Sequence, residues 1–473
     1  MPSGLSGRGP LYVRLADTIE NAVATGDLSA GDKLPPQRNL AFDLGVTIGT
    51  VGRAYALARE RGLVAGEVGR GTYVLERKSQ NEAIQIAEPR ALAKEAASAG
   101  TRALFAPAGM LRFDSTAAPD IGQSAIVGRH LEEIVRDHPA DLANYTRSLP
   151  SHWLNAGASW LAASGLDLEP ACIVPTLGAH AAIMAAATAA TSPGDRIVLE
   201  ELTYASVARG LSLAGRRAVT VALDEHGIVP EDLERVCAQQ HPKMLFIMPA
   251  PHNPTLAILP AERRVAIAEI ARKHNLWIIE DLVYGSLLDD KADSFSALLP
   301  ERTFRVGGMS KSVAAGIRGG WMACPRGVVA RVHAAHKLLT GGLPFLLAET
   351  AARLVLSGEA MQIRNQVRDE IAIREQMARE CLSGFEMTSL PHCPFVWLSV
   401  PEPWQSGTLK NAAEAENILI DDEDEFKAGR SERSFHRVRV GISVPTDREE
   451  VRAGLLRLRS LIEGGNAAYD SYS

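Results

Sequence analysis

The chain contains no run of about 18 apolar residues, so no transmembrane helix is expected. Its opening MPSGLSGRGP lacks the apolar core of an export signal, which predicts a protein that is not secreted. Cysteine is sparse: Cys172, Cys237, Cys324, Cys381 and Cys393 are scattered and odd in number. They form no metal-type or redox pair, so the expectation is a reducing cytoplasm with the thiols as core filler. An excess of basic charge is missing too. A net charge of −6 excludes a globally basic nucleic-acid coat. Internal repeats and low-complexity tracts are absent, which excludes solenoids and fibres.

What is present is ordinary soluble-protein composition, 46% hydrophobic and 22% charged over 473 residues. That length predicts two to four domains and a sizeable core. The charge has a direction. Residues 1–78 carry ten Lys/Arg and eight Asp/Glu, a net +2, against −8 for the remainder. The N-terminal piece is therefore the better candidate for meeting phosphates.

Leu11, Leu15, Ile19 and Val23 recur at helical spacing, with Gly26 as a stop. LSAGDKLPPQ is turn-rich. QRNLAFDLG and VTIGTVGRAYALARERG then predict two short helices separated by Gly45, with Thr47 as N-cap and Gly62 as the stop. LVAGEVGRGTYVLE predicts two strands joined at a Gly-Arg-Gly tip. Helix, helix–turn–helix, hairpin is the order of a winged helix. Residues 77–107 are polar and alanine-rich at first and are expected to be a linker.

From about residue 170, apolar runs (RIVLEEL, AVTVALD, MLFIMPA, LWIIEDLVY, TFRVGGM) alternate with helical stretches such as PAERRVAIAEIARKHN. That alternation predicts βα units and a parallel sheet, with ligands at the carboxyl ends of the strands. After residue 345 a helical stretch leads to PFVWLSV and RVRVGISV, expected to be strands of a smaller α+β subdomain.

Three polar signals fall at the predicted strand ends, and a fourth comes before the first predicted strand. They are Asn253 after MLFIMPA, Asp281 and Tyr284 after LWIIE, Lys311 and Arg318 after FRVGGM, and the glycine turn PTLGAH, which opens a helix. Lys311 sits among small residues in VGGMSKSVAAGIRGGW, with Arg318 seven positions on and no acid near either. Together the groups fit pyridoxal phosphate. A lysine supplies the Schiff-base amine, a carboxylate keeps the pyridine nitrogen protonated, and an amide and a phenol reach the ring hydroxyl. An arginine and a helix N-terminus hold the phosphate. Each signal alone has a plainer reading: a solvated lysine, an Asn-Pro turn, a capping aspartate, a core tyrosine.

PTLGAH, PAPHNPT, EDLVY, MSKSVAAGIRGGW and RVRVGIS resemble the fold-type-I, class I/II aminotransferases. LPPQRNLAFDLGVTIGTVGRAY followed by GRGTYV resembles the winged helix of the GntR regulators. Both in this order resemble the MocR subfamily. The resemblance implies a winged helix-turn-helix over 8–76 and an aminotransferase-like α/β domain over 108–473, its large part about 141–340 and its small subdomain about 345–473. It implies Lys311 as the Schiff-base residue, Asp281 on the pyridine nitrogen, and Asn253 and Tyr284 on the ring oxygen. It implies Ser310, Arg318 and the backbone of Gly178, Ala179 and His180 on the phosphate, and Tyr204 stacked on the ring. It implies Tyr145 reaching the phosphate across a dimer interface and Arg439 receiving an effector carboxylate. The chain departs from the family at Gly308, where a hydroxyl residue is usual, at Leu256, where glycine is usual, and in LPSHWLNAGAS, which lacks a usual glycine and arginine.

A recognition helix presents its first residues to the major groove. That makes Thr47, Thr50 and Arg53 candidates for DNA contact, with Arg38 on the preceding helix and Arg70 and Gly71 at the wing tip. Ile48 stands where the family often has arginine. The expected function is a pyridoxal-phosphate-dependent transcriptional regulator, cytoplasmic and a domain-swapped homodimer, which senses an amino compound through aldimine formation at Lys311. The alternative is a working aminotransferase with an accessory DNA domain.

Overall fold

Apolar stripes at helical spacing close the N-terminal unit. The computed structural model describes residues 10–29, 31–61, 63–67, 71–75, 109–162, 166–288, 293–429, 433–465 and 469. It divides the chain into two units, residues 1–88 and 89–473. In the first, helices α1 (Leu11–Thr25), α2 (Gln37–Leu44) and α3 (Ile48–Glu60) accompany strands β1 (Lys33–Leu34), β2 (Val64–Glu67) and β3 (Gly71–Val74). Leu15 and Ile19 of α1 bury against a core that includes Val51, Ala54, Tyr55 and Ala58 of α3. Gly26 and Gly45, at φ 82° and 66°, end α1 and α2 in the left-handed conformation that glycine adopts without strain. Thr47 caps α3 by accepting from the Thr50 amide. The turn-rich stretch holds a strand the sequence pattern did not show: β1 pairs with β3, making a sheet of order β1-β3-β2. Gly62, Arg70 and the linker expected over 77–107 lie outside the described residues.

In the second unit each predicted apolar run falls on a strand: β5 (Arg196–Glu200), β6 (Arg217–Val221), β7 (Met244–Ile247), β8 (Trp277–Asp281) and β9 (Thr303–Gly308). Two more, β4 (Ile173–Leu177) and β10 (Gly319–Ala323), complete a seven-stranded sheet of order β4-β10-β9-β8-β7-β5-β6. The sheet is mixed rather than wholly parallel, because β10 pairs antiparallel with both β9 and β4. The cause is local. Only Met309–Arg318 joins β9 to β10, too short for the crossover a parallel return needs. β7 and β9 are buried at every position, as strands covered on both faces are. Helix α4 (Gly178–Ala190) starts directly from β4.

The smaller sheet comprises β11 (Met387–Thr388), β12 (Phe395–Ser399), β13 (Asp421–Asp422) and β14 (Arg437–Gly441), ordered β11-β12-β14-β13. A strap that precedes the large sheet in sequence is fastened here. Leu111–Arg112 pairs with Ile418–Leu419, and the Gly441 amide donates to the Phe113 carbonyl at 2.6 Å. A Cβ on Gly441 would lie 2.3 Å from the Ser115 carbonyl oxygen, so this approach requires glycine. Further along, the Ala118 amide donates to the Ser310 carbonyl at 2.9 Å. The strap thus runs from the small sheet to the lysine-bearing turn. No helix among the described residues is long and apolar enough to cross a membrane.

Candidate cofactor and effector site

A cavity of about 390 Å³ opens where the strands of the large sheet end. The turn between β9 and β10 brings Ser310, Lys311 and Arg318 to it. The end of β8 brings Asp281 and Tyr284, the loop after β7 brings Asn253, and the loop after β5 brings Tyr204. The β4–α4 junction brings Gly178, Ala179 and His180, and β14 brings Arg439. Residues far apart in sequence meet here because parallel strands all present the same end.

Lys311 Nζ donates to Thr116 Oγ1 at 3.0 Å, and Thr116 Oγ1 lies 2.7 Å from the Tyr284 hydroxyl. Asp281 is buried and accepts from the Val283 amide at 3.0 Å. Burial pushes its carboxyl up to about 6, opposed by the Val283 amide and Lys311 and assisted by buried Glu200. Burial likewise pushes the Tyr284 phenol up to about 12. Both groups sit where ionisation is costly unless a counter-charge arrives.

The opposite end of the cavity is built for an anion. Gly178 opens α4 at φ 79°, and its first amides point from a helix N-terminus. The Leu177 amide donates to His336 Nε2 at 3.0 Å, so that imidazole nitrogen is the acceptor. Burial holds His336 down to about 4, which keeps it neutral for this role. The Arg318 guanidinium lies beside Gly178: a Cβ placed there would meet its Nη2 at 3.4 Å. Arg318 has φ 50°, a conformation uncommon for a non-glycine residue. His180 meets the Tyr204 ring edge-on at 5.9 Å, and its own pKa is lowered by burial and then by Arg318.

Arg439 is buried between the Phe395 and Phe426 rings, with centroids at 5.3 and 4.8 Å. Its Nη1 donates to Asn253 Oδ1 at 2.8 Å. Its Nη2 donates to Asp421 Oδ2 at 2.5 Å and to the Asp114 carbonyl at 3.2 Å. Arg437, one pleat away, is instead directed to Glu386.

Three contributors escaped the sequence reading: Thr116, Asp421 and Glu425. Thr116 carries no local motif, since only the fold returns its strap to Lys311. Asp421 and Glu425 belong to the acidic run Asp421–Glu425, the one local signal that marks them. Tyr145 is 86% exposed and does not line the cavity. In the N-terminal unit Arg38, Thr47 and Arg53 are exposed and Thr50 is half-buried, while Arg70 lies outside the described residues. No cluster of His, Cys, Asp or Glu suited to a metal occurs among the described residues.

Residues 131–453 match the family described as aminotransferase class I and II. The chain belongs to that family. Residues 11–74 of this aminotransferase-family chain match bacterial regulatory proteins of the gntR family, so a gntR-type domain is fused to an aminotransferase-like one, the MocR-like order. An uncharacterized HTH-type transcriptional regulator, YdeF of Bacillus subtilis (strain 168), is 27% identical over 459 residues, covering 96% of this chain and 95% of that one. The HTH-type transcriptional regulator TauR of Rhodobacter capsulatus is 25% identical over 464 residues, covering 91% and 93%. An archaeal alanine:glyoxylate aminotransferase aligns with TM-score 0.69 at 21% identity, over 80% of this chain and 95% of that one. LysN, an α-aminoadipate aminotransferase from Thermus thermophilus, aligns with TM-score 0.68 at 20% identity, over 76% and 93%. These likenesses give the fold.

The cofactor of this aminotransferase fold is pyridoxal phosphate. The residues present fit it. A buried carboxyl (Asp281), a lysine amine (Lys311), a phenol (Tyr284) and an anion-ready helix start beside Arg318 share one cavity. At Gly308 a Cβ would meet nothing closer than 3.5 Å, so the missing side chain leaves ordinary space beside Ala179.

Proposed function

We propose that this chain is a transcriptional regulator that binds DNA through its winged helix and senses an amino compound through pyridoxal phosphate held in the aminotransferase-like unit. The observation that carries this reading is the complete lysine, carboxylate and phosphate-end set around one cavity, in a chain that also bears a gntR-type domain. Bound pyridoxal phosphate supplies an aldehyde carbon that condenses with amines and a ring that withdraws electrons from them. Lys311 would provide the amine that ties it down, and Asp281 would serve the pyridine nitrogen as an anion. Tyr284 and Asn253 serve the ring oxygen, Tyr204 its face. Arg318, Ser310 and the first amides of α4 hold the phosphate.

The ligand acts through differential affinity for two arrangements of the protein, one of them competent for DNA. The DNA-facing set is Arg38, Thr47, Thr50 and Arg53, with Arg70 and Gly71 at the wing. The working unit in this reading is a cytoplasmic homodimer with exchanged winged helices. The outward ring of Tyr145 supports its service to a partner's phosphate.

Gel shifts on DNA flanking the chain's own gene test the regulator. Retardation that responds to pyridoxal phosphate or an amine is expected; no binding under any of these conditions sinks it. Lys311→Ala is expected to lose the cofactor's imine absorbance, and a persistent borohydride-reducible adduct in that variant refutes the role of Lys311. The assembled Lys311 and Asp281 also suit a working aminotransferase. Sustained turnover with amino donors and 2-oxo acids at about 1 per second or faster favours that second reading.

A further inference from the structure

Arg439 faces the cavity with its charge already matched inside the protein. Asp421 and Arg439 are directly opposed across β13 and β14, and both are buried, at 1% and 3% exposure. The side chains meet at 2.5 Å. A guanidinium captures a carboxylate through two parallel N–H groups on one edge. Its two accessible edges, Nε–Nη2 and Nη1–Nη2, share Nη2. Here both Nη2 hydrogens are used, one by Asp421 and one by the Asp114 carbonyl, while Nη1 is engaged by Asn253. Nε is buried without a hydrogen-bond partner, the donor an incoming carboxylate would have paired with alongside Nη2. Among the described residues that line it, the rest of this wall offers no replacement cation. Glu425 and Phe426 line it, and the nearby Arg209 is drawn to Glu425 at 3.1 Å and to its carbonyl. Lys311 and Arg318 belong to the cofactor.

From this we infer that the sensed ligand is a primary amine with no carboxylate on the amine-bearing carbon, Asp421 being the residue that excludes α-amino acids. The inference rests on the amine-sensing reading above and replaces the expectation that Arg439 receives an effector carboxylate. A carboxylate brought to Arg439 would have to displace Asp421 or lie beside it, leaving two like charges on one buried cation. A neutral substituent meets only the aromatic rings and the matched pair. With the cofactor bound, the exchange would balance: the ligand's neutral amine would form the C=N bond that Lys311 Nζ gives up, and, the imine being protonated before and after, one proton would pass from the ligand nitrogen to Lys311, which leaves as the free amine.

The test uses full-length protein loaded with pyridoxal phosphate and follows the visible absorbance and circular dichroism of the bound cofactor. Leucine, leucinamide and 3-methylbutylamine are titrated into wild type and Asp421→Asn. Wild type is expected to bind the two carboxylate-free amines at least about tenfold more tightly than leucine, a gap of about 1.4 kcal/mol. Asp421→Asn should narrow or reverse the gap. Comparing the two proteins cancels differences in amine basicity. Leucine binding as tightly as the other two in wild type overturns the inference, whether or not the variant folds. A ratio unmoved by Asp421→Asn removes Asp421 from the role. If no amine perturbs a cofactor whose Lys311-dependent absorbance is present, the amine-sensing reading fails along with the inference. The pattern in which only leucine fails to bind upholds both.

Discussion

The Thr116 hydroxyl lies between Lys311 Nζ, at 3.0 Å, and the Tyr284 hydroxyl, at 2.7 Å. A strap fastened beside the small sheet thus supplies the residue that joins the lysine to the phenol. Thr116 and Tyr284 are both buried, so the hydroxyl pair is largely shielded from bulk water. Thr116→Val keeps the shape and removes the hydroxyl, leaving Tyr284 short of a partner. Stability should fall by about 1–3 kcal/mol, the cost of stranding a buried polar group. Thr116→Ser should recover most of it. Urea denaturation of the cofactor-free proteins reads the difference, and equal stability of the Val and Ser variants would remove the bridge from consideration.

Asp281 gives two pH dependences of opposite sign. Its folded pKa, about 6, is raised above the ordinary value of 3.8. In the cofactor-free protein its contribution to stability is fully present below about 3.8 and is lost as pH rises through about 6, because the unfolded chain releases that proton first. Cofactor retention runs the other way. A protonated pyridine nitrogen needs the anion, so affinity should fall as pH drops through about 6. Asp281→Asn should flatten both curves relative to wild type. Thermal denaturation of the cofactor-free forms and equilibrium dialysis of pyridoxal phosphate across pH measure them separately.

Gly308 lacks a side chain without any packing requirement for glycine. A Cβ there would meet the Gly319 carbonyl at 3.5 Å and Ala179 Cβ at 3.8 Å, ordinary contacts. Gly308→Ser is expected to fold normally and to hold the cofactor more tightly, by about 3- to 10-fold for one added hydrogen bond to an anion. Gly320→Ala is the contrast. Its Cβ would lie 2.9 Å from Gly178 Cα, so the phosphate-end turn must shift and affinity should fall. Dialysis of both variants against pyridoxal phosphate gives the two signs.

Arg53 and Thr47 separate DNA contact from helix stability. Arg53 is exposed on α3, while Val51, Ala54 and Tyr55 face the core. Arg53→Ala should leave the melting temperature of the protein unchanged. It should weaken operator binding by about 1–3 kcal/mol if it reads a base, or lower the salt slope by about 1 if it meets a phosphate. Thr47→Ala should cost about 1 kcal/mol of stability through the lost cap. Fluorescence anisotropy at several salt concentrations, beside thermal melts, distinguishes the outcomes.

The N-terminal unit was legible almost throughout. Stripes at helical spacing, Gly26, Gly45 and Thr47 are local signals, and local signals set local elements. The strands of the large sheet were legible where a strongly apolar run marked them. β4 and β10 were not. IVPTL is interrupted by proline, and GGWMA begins with two glycines, so neither reads as a buried strand alone.

The sequence by itself determined which groups stand at the strand ends, because a polar residue after an apolar run is placed by the run. It therefore carried Lys311, Asp281, Tyr284 and Asn253 to one rim. Tertiary structure alone decided what faces those groups. Thr116 reaches Lys311 only because Gly441 lets the strap lie against β14. Asp421 reaches Arg439 only through the antiparallel register of β13 on β14. Pairing between distant segments depends on how sheets and straps close over one another, and no spacing along the chain encodes that. The inferred preference for amines without a carboxylate rests on the β13–β14 register, which sets Asp421 against Arg439.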